Sequence, residues 1–242
     1  MLQYAAQILD ASLTLNDSLV LDQVFLQLES GRIHALVGAG GSGKTLLLRM
    51  LATLLQPSKG ELHLFKKAVN FRDLKSLRQV RSNIGVQFQN LALFDFLTVG
   101  QNVGFPLEQD SELTKDISIQ VKTALDSVGL DGRQEHAISA LSGGMQRRVA
   151  IARAAVAKPK LLLFDDPSGG LDPVTTSRIF ELIRTIQEEN DNTVVIASHD
   201  IDRLVKLCHI FHVVDHGKVI FSGTLSEARQ STDDRVKVFL DV

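Results

Sequence analysis

Residues 38–45 read Gly-Ala-Gly-Gly-Ser-Gly-Lys-Thr and fit the pattern Gly-x4-Gly-Lys-Ser/Thr. Glycines carry no Cβ, so the backbone N–H groups of such a loop can curl around an anion. Lys44 supplies a cation for the β- and γ-phosphates of a nucleotide, and the hydroxyl of Thr45 suits Mg²⁺. A flexible glycine turn without a ligand is the alternative. The residues expected to bind the nucleotide phosphates and Mg²⁺ are Gly38, Ala39, Gly40, Gly41, Ser42, Gly43, Lys44 and Thr45.

The segments on either side of this loop favour phosphate binding. Ile33–Val37 is a short apolar run that predicts a buried strand, and residues 44–55 show a helical pattern that ends before Pro57. Strand, glycine turn and helix in this order are the context that a phosphate-binding loop requires. The partial positive charge of the helix N-terminus adds to the attraction for phosphate.

A second chemical element follows a later apolar run. Residues 161–164 are Leu-Leu-Leu-Phe and lead directly into Asp165. The carboxyl end of such a strand lies at the ligand-bearing edge of a parallel sheet. An apolar run that ends in aspartate is common in α/β cores, so the prediction depends on the phosphate loop. With that loop, Asp165 is expected to anchor Mg²⁺ together with Thr45.

The rest of the chain alternates between strand and helix patterns. Antiparallel strands are predicted at 8–15, 19–28 and 60–65, buried strands at 84–88, 160–165 and 193–198, and a closing hairpin at 209–214 and 218–221. Helices are predicted at 98–103, 119–128, 144–156 and 173 to about 189. The pattern predicts an α/β fold, and with its phosphate loop this fold resembles the P-loop NTPase (RecA-like) type. It comprises a mostly parallel sheet, an antiparallel β subdomain and an inserted α-helical subdomain.

Residues 141–148 read Leu-Ser-Gly-Gly-Met-Gln-Arg-Arg, which resembles the signature motif of ABC-type ATPases. Other motifs follow in the family's order along nearly the whole chain. Gln89 resembles the Q-loop glutamine, residues 170–173 resemble the D-loop, and His199 resembles the switch histidine. The resemblance implies one ABC ATPase domain over residues 1–242, with a catalytic core at 1–88 and 157–242 and a helical subdomain at about 89–156.

The same resemblance implies a homodimer that closes head to tail over two ATP molecules. In such a dimer, Ser142, Gly143 and Gly144 face the γ-phosphate held by the partner's Lys44. A serine followed by glycines at the start of a helix is also, on physical grounds, a second anion cradle. One ATP needs only one phosphate loop, so a second cradle makes sense if it completes a site across an interface. Ser142 is expected to cap the helix as well.

Three residues receive catalytic roles from the resemblance. Gln89 is expected to sense Mg²⁺ and to couple the helical subdomain to a partner, and His199 to bond the γ-phosphate or the attacking water. The family usually places glutamate after the Mg²⁺-binding aspartate to polarise that water, whereas this chain has Asp166. A misplacement of about 1 Å can cost on the order of 100-fold in rate. Either Asp166 works with adjusted geometry, or hydrolysis is slow and ATP mainly holds the dimer together.

The adenine site also departs from the family pattern. The family commonly stacks the base on an aromatic residue, and Leu15 stands at the corresponding position. Leucine packs but lacks an aromatic face for stacking. Tyr4 is a candidate substitute, with simple packing near the N-terminus as the alternative. The sequence therefore predicts contact of the base with Leu15 and relaxed selectivity between ATP and GTP.

Composition and motif details bear on the biological role. Lys and Arg number 26 against 28 Asp and Glu, so no global positive field attracts nucleic acid and none is expected as a partner. No run approaches the roughly 20 apolar residues of a membrane span, and no secretory signal is apparent. Together with the ABC resemblance, this predicts a cytoplasmic subunit held at the inner face of the membrane by separate transmembrane permease subunits.

The signature and the segment 97–107 point to a narrower group. Met145, the pair Arg147 and Arg148, and residues 102–107 are similar to the ATPases of MCE-linked phospholipid transporters, which implies lipid transport. One alternative is a soluble ABC ATPase that acts on protein assembly or nucleic acid, and another is a slowly hydrolysing ATP-gated switch.

Four of the 12 phenylalanines lie between residues 88 and 107. In the family, a groove near the Q-loop receives a short helix of the membrane subunit. The candidates for that contact are Leu91, Leu93, Phe94 and Phe96. Packing in the core of the helical subdomain is the equally weighted alternative for them.

Overall fold

The computed structural model of the chain describes residues 3–108 and 117–240. The elements in chain order are β1 (Tyr4–Leu15), β2 (Ser18–Glu29), β3 (Ile33–Val37), α1 (Lys44–Leu51), β4 (Lys59–Leu64), β5 (Lys67–Ala68), α2 (Leu74–Arg81), β6 (Ile84–Gln87), α3 (Val99–Glu108), α4 (Ile117–Ser127), α5 (Gly143–Ala155), β7 (Leu161–Asp165), α6 (Pro173–Asn190), β8 (Thr193–Ala197), α7 (Ile201–Leu207), β9 (Ile210–Asp215), β10 (Lys218–Gly223), α8 (Leu225–Arg229) and α9 (Asp234–Leu240). They form two sheets and a group of helices.

The larger sheet has six strands in the order β10-β9-β3-β8-β7-β6. Strands β9, β3, β8, β7 and β6 run parallel, and β10 pairs antiparallel with β9 at one edge. Every residue of β3, β7 and β8 is buried, because helices cover both faces of a parallel sheet. One face packs on α1, and the other packs on α5, α6 and α7. The predicted mostly parallel sheet is confirmed.

The smaller sheet is antiparallel, with the order β2-β1-β4-β5. Its apolar side joins the core that contains α1. The two sheets meet beside the phosphate loop, where the amide of Asp22 donates to the carbonyl of Gly217 at 2.9 Å. The amide of Gly217 donates in turn to the carbonyl of Ser42 at 2.9 Å. Strand β2 of the smaller sheet and the β9–β10 turn of the larger sheet therefore brace the predicted site.

The helices α3, α4 and α5 pack around their own apolar cluster and form the predicted inserted helical subdomain. The helix α5 belongs to two cores at once. Its residues Val149 and Ala152 pack within the helical subdomain, whereas Ile151 and Ala154 pack against the six-stranded sheet. As a result, α5 is a direct mechanical link between the helical subdomain and the sheet.

Several boundaries and elements differ from the sequence predictions. The helix predicted at 44–55 ends at Leu51, since Thr53 has a φ of 58° and the amides of Leu54 and Leu55 both return to the Arg49 carbonyl. The helices α2 and α7 are not predicted by the sequence pattern. They are short and polar and bury only one and two residues, so few apolar positions mark them in the sequence.

Candidate active site

The phosphate loop lies between the end of β3 and the start of α1. Gly38 has a φ of 147°, and a Cβ there would overlap the carbonyl oxygen of Val214. Only glycine fits this close approach of two backbones. The ammonium of Lys44 folds back into the loop and donates to the carbonyls of Gly38 and Ala39, at 2.8 Å in each case. Two backbone carbonyls of the loop therefore hold the Lys44 ammonium inside it.

A cavity of about 310 Å³ opens above this loop. Its lining joins residues from the carboxyl ends of β6, β7 and β8 to the phosphate loop. The lining residues are Gly40, Gly41, Ser42, Gly43, Lys44, Thr45, Leu46, Gln89, Asp165, Asp166, Ala197, Ser198 and His199. The structure thus brings together most of the predicted site residues, and Gly38 and Ala39 frame the cavity through their bonds to Lys44.

The residues present fit a nucleotide with Mg²⁺. The Oγ of Ser42 is buried and has no hydrogen-bond partner within the described part of the chain, so it is free to bond a phosphate. A Cβ built on Gly40 or Gly41 would meet no described heavy atom within 4 Å, which leaves the cradle open. The described residues contain no cluster of three or more His, Cys, Asp or Glu. A site built from one carboxylate, one hydroxyl and substrate phosphates suits Mg²⁺.

Thr45 and Asp165 meet at the predicted metal position. The hydroxyl of Thr45 donates to Oδ1 of Asp165 at 3.1 Å. Burial raises the pKa of Asp165 above its ordinary value, and the bond from Thr45 and nearby cations oppose that rise. Burial likewise lowers the pKa of Lys44, against the attraction of Asp165 and Asp166. A divalent cation in this position would favour the ionised form of Asp165.

Asp166 follows in a left-handed backbone conformation, with a φ of 47°. Aspartate tolerates this conformation better than most residues. Its amide donates to the carbonyl of Ala197 at 2.8 Å, which ties it to the end of β8. Its carboxylate lies against Gly169, at a place that a Cβ on Gly169 would occupy.

Gln89 and His199 are exposed side chains at the rim of the same cavity. Gln89 follows β6 and His199 follows β8, so the sheet places them on either side of the strand that carries Asp165. The positions of both agree with contact to a γ-phosphate or its metal. The sequence identified them through the family pattern alone.

The signature residues occupy a different place. The described residues that line the cavity do not include Ser142, Gly143 or Gly144. Ser142 caps α5, and its side chain accepts a hydrogen bond from the Met145 amide at 3.3 Å. Ser142 and Gly143 are exposed at the helix N-terminus. The capping role expected of Ser142 is present, and the N-terminus of α5 is exposed.

Leu15 lies at the tip of the β1–β2 hairpin, beside the turn formed by Asn16 and Asp17. It is exposed, and it is not among the described residues that line the phosphate cavity. Tyr4 stands at the other end of β1, roughly 35 Å away at the usual rise of a strand. It lines a separate cavity of about 910 Å³ together with Phe25. That separation removes Tyr4 as a substitute for the stacking residue.

One functional contact has no signal in the sequence. Arg153 on α5 is buried and donates to the carbonyls of Leu91 and Ala92, at 2.6 and 2.7 Å. Leu91 and Ala92 have φ values of 62° and 47°, and they lie two and three residues after Gln89 in the loop. Arg153 thereby fastens the loop that carries Gln89 to the helical subdomain. The residues in contact lie about sixty positions apart, beyond the reach of local patterns.

Residues 21–169 match the family model described as "ABC transporter". The chain belongs to the ABC transporter ATPase family. Among curated proteins, it is 35% identical over 225 residues to the intermembrane phospholipid transport system ATP-binding protein MlaF of Haemophilus influenzae, covering 93% of this chain and 85% of that protein. It is also 35% identical to the methionine import ATP-binding protein MetN 3 of Shouchella clausii, covering 91% of this chain and 65% of that protein.

Solved structures of ABC proteins share the fold. CbiO1 of Clostridium perfringens, part of the transporter complex cbiONQ, superposes with a TM-score of 0.84 at 29% identity, covering 98% of this chain and 96% of that one. The dimeric bacterial ABC transporter cassette MJ0796 gives 0.82 at 28% identity, covering 91% of this chain and 98% of that one. MJ0796 has also been solved in a post-hydrolysis state with ADP and Pi. As a member of the same family, the present chain binds ATP with Mg²⁺ and hydrolyses it.

ABC ATPase cassettes dimerise and power transport together with transmembrane permease subunits. In this chain, the helices within residues 3–108 and 117–240 are all too short or too polar to cross a bilayer.

Proposed function

We propose that this ABC ATPase forms a head-to-tail homodimer in which each ATP lies between the phosphate loop of one copy and the Ser142–Gly144 cradle of the other. The supporting observation is the division of the site. Lys44, Asp165 and Asp166 share one cavity, whereas the signature cradle is exposed elsewhere on the same chain. Each chain therefore offers two complementary halves, and two copies complete both sites.

Within each site, the chain's own residues divide the work. Lys44 and the loop amides hold the β- and γ-phosphates, and Asp165 with Thr45 and Gln89 holds the metal. Mg²⁺, when bound, neutralises charge that develops on the phosphates. Asp166 accepts a proton from the attacking water, and His199 orients that water or the γ-phosphate. Asp166 suits this role because it lines the phosphate cavity next to Asp165.

A serine-to-alanine substitution tests the shared site, with a closely matched control. Ser142→Ala removes an N-cap whose side chain accepts from the Met145 amide at 3.3 Å. Thr224→Ala removes the N-cap of α8, which accepts from the Glu227 amide at 3.3 Å. Both changes cost about 1 kcal/mol of stability as lost caps.

Only Ser142→Ala is expected to abolish ATP turnover and ATP-driven dimerisation. Phosphate release and light scattering after size exclusion measure the two effects. Equal turnover and equal dimerisation in the two variants would contradict the shared site.

The aromatic residues beside the Q-loop form the proposed contact with a permease subunit. Phe94 packs against Phe105, with ring centroids 4.8 Å apart, and Leu93 packs on the helical core. Phe96 is 83% exposed and lies 5.8 Å from Phe94, centroid to centroid. The inner residues therefore stabilise the subdomain, and Phe96 presents an apolar ring for docking.

Phe96→Ala is expected to prevent recovery of the permease with this subunit while ATP binding persists. Phe25→Ala is the matched control, because Phe25 is 60% exposed on the antiparallel sheet. Retention of the permease by Phe96→Ala, or its loss with both variants, would contradict the docking role.

Lipid is the proposed cargo of the assembled transporter, which holds this subunit at the inner face of the membrane. Support comes from Met145 with Arg147 and Arg148 in the signature, and from the similarity to MlaF over 93% of the chain. The similarity to MetN 3 favours methionine as the competing cargo. Mass spectrometry of the purified intact complex tests the choice between lipid and methionine as cargo. It identifies the membrane subunits and any bound lipids. A complex that carries no phospholipid and whose ATPase responds to methionine would overturn it.

A further inference from the structure

Arg147 lies on α5, five residues after the Ser142 cap, and reaches from the helical subdomain to the loop that follows β7. Its Nη1 donates to the carbonyl of Asp166 at 3.3 Å. Its Nη2 donates to the carbonyl of Gly169. The planar guanidinium therefore bonds both ends of the short segment 166–169 from one side.

This segment has a conformation that needs support. Asp166 is left-handed, and the Gly169 amide returns to the Asp166 carbonyl at 3.3 Å, a long bond. The Asp166 carboxylate fills the space beside Gly169. A left-handed residue other than glycine persists only where its surroundings determine it. The guanidinium of Arg147 supplies such a constraint, since it bonds the carbonyls on both sides of the turn.

The charged side chain of Arg147 is partly removed from water. It is half-buried, and burial lowers its pKa, although the Asp166 carboxylate opposes the shift. Its two donor groups point at backbone carbonyls of the loop. A lysine could supply the charge but not the rigid pair of parallel donors.

We propose that Arg147 is a positioning residue that couples the signature helix to Asp166. When the N-terminus of α5 engages the partner's nucleotide, the same rigid helix carries the Arg147 guanidinium, and with it the Asp166 backbone, into the hydrolytic position. This inference rests on the proposed role of Asp166. It makes hydrolysis depend on contact at Ser142 through a connection within one chain.

The chain provides a closely matched control in the next residue. Arg148 lies on the same helix and donates from Nη1 to the carbonyls of Val128 and Gly129, at 2.9 and 3.0 Å. Both acceptors belong to the helical subdomain, directly after α4. Arg148 therefore makes the same kind of bond as Arg147 without touching the loop that carries Asp166.

The test uses the full chain with Arg147→Gln, Arg147→Lys, Arg148→Gln and Asp166→Asn. Arg147→Gln is expected to lower kcat about 10- to 100-fold, the range for displacement of a reacting group by up to about 1 Å, with an unchanged KM for ATP. Arg147→Lys recovers part of kcat, and Arg148→Gln keeps it within about twofold. Asp166→Asn abolishes turnover.

A second readout needs no nucleotide. Hydrogen exchange at the amides of Asp166 and residues 168–171 is expected to accelerate about tenfold or more in Arg147→Gln, because two charge-assisted bonds are lost. The same amides exchange at the wild-type rate in Arg148→Gln. If Arg147→Gln melts at a lower temperature than the wild type, Arg147→Lys replaces it in both measurements.

The outcomes separate the inference from the proposed function. Turnover that survives in Asp166→Asn overturns the role of Asp166. If Asp166→Asn is inactive while Arg147→Gln shows wild-type kcat and wild-type exchange, Arg147 has no positioning role. Equal losses of kcat in Arg147→Gln and Arg148→Gln would show a general weakening of the helical subdomain and would also overturn the inference.

Discussion

Gly169 determines where the Asp166 carboxylate lies, and this gives a sharp prediction. The backbone of Gly169 lies outside the left-handed region, so alanine there meets no penalty from φ. The added Cβ would instead overlap Oδ2 and approach Cγ of Asp166 to 2.9 Å. Gly169→Ala therefore perturbs the side chain of Asp166 and leaves the phosphate loop unchanged.

The expected size follows from this overlap. To restore ordinary van der Waals separation from a new Cβ, the carboxylate must retreat by about 1 Å. A displacement of about 1 Å at a reacting group costs on the order of 100-fold. We expect kcat to fall roughly 10- to 100-fold, with the dissociation constant for ATP unchanged.

Phosphate release by the full chain measures kcat, and titration with a fluorescent ATP analogue measures binding. Gly170→Ala is the matched control. Gly170 has a φ of 76°, and a Cβ there would meet no described heavy atom within 4 Å. The control loses about 1–2 kcal/mol of stability from its backbone but leaves Asp166 in place. A kcat for Gly169→Ala within about twofold of wild type, or an equal fall in Gly170→Ala, would refute the reasoning.

Other predictions concern the same site, the base and the response to pH. Asp166→Glu is expected to give no rise in single-turnover rate, because the loop is packed around the shorter side chain; a tenfold rise would instead favour the slow switch. ATP and GTP should compete equally for the wild-type chain, whereas Leu15→Tyr should favour ATP through stacking; strong ATP preference in the wild type would contradict this. His34 bonds His212 at 3.0 Å inside the core, and burial lowers the pKa of His34 to about 4 and that of His212 well below its ordinary value. Below about pH 6.5 the unfolded chain therefore binds more protons than the folded chain. The free energy of unfolding should fall by about 2 kcal/mol from pH 7 to pH 5 because of His34 alone. Urea unfolding at both pH values measures this loss of stability, which His34→Gln should reduce.

The elements that carry the phosphate site were predictable because their sequences are locally distinctive. The strands β3, β7 and β8 are buried on both faces, so they read as continuous apolar runs. The glycines of the loop indicate a close approach between two backbone segments, such as the one between Gly38 and the Val214 carbonyl. Short helices with few buried residues, such as α2, give no comparable pattern.

The contacts that set the catalytic geometry were not predictable in the same way. Arg147 bonds residues 19 and 22 positions away, and Arg153 bonds residues 62 and 61 positions away. Their partners are backbone carbonyls, which every residue possesses, so no side-chain pattern marks them. The left-handed turn at Asp166 likewise depends on a bond to Ala197, which only the folded chain brings near.

Through Arg147 and Arg153, the helix α5 bonds the loops that follow β7 and β6, and this constrains which insertions and deletions the chain can accept during evolution. The two arginines are separated by six residues, a rise of about 9 Å and a fixed rotation around the helix axis. Inserting a single residue between them would turn one guanidinium by about 100° relative to the other. Exposed positions on α5 can vary in residue type. An insertion or deletion between Arg147 and Arg153 would instead break the bonds of one arginine to its loop, either the loop of Asp166 or the loop of Gln89.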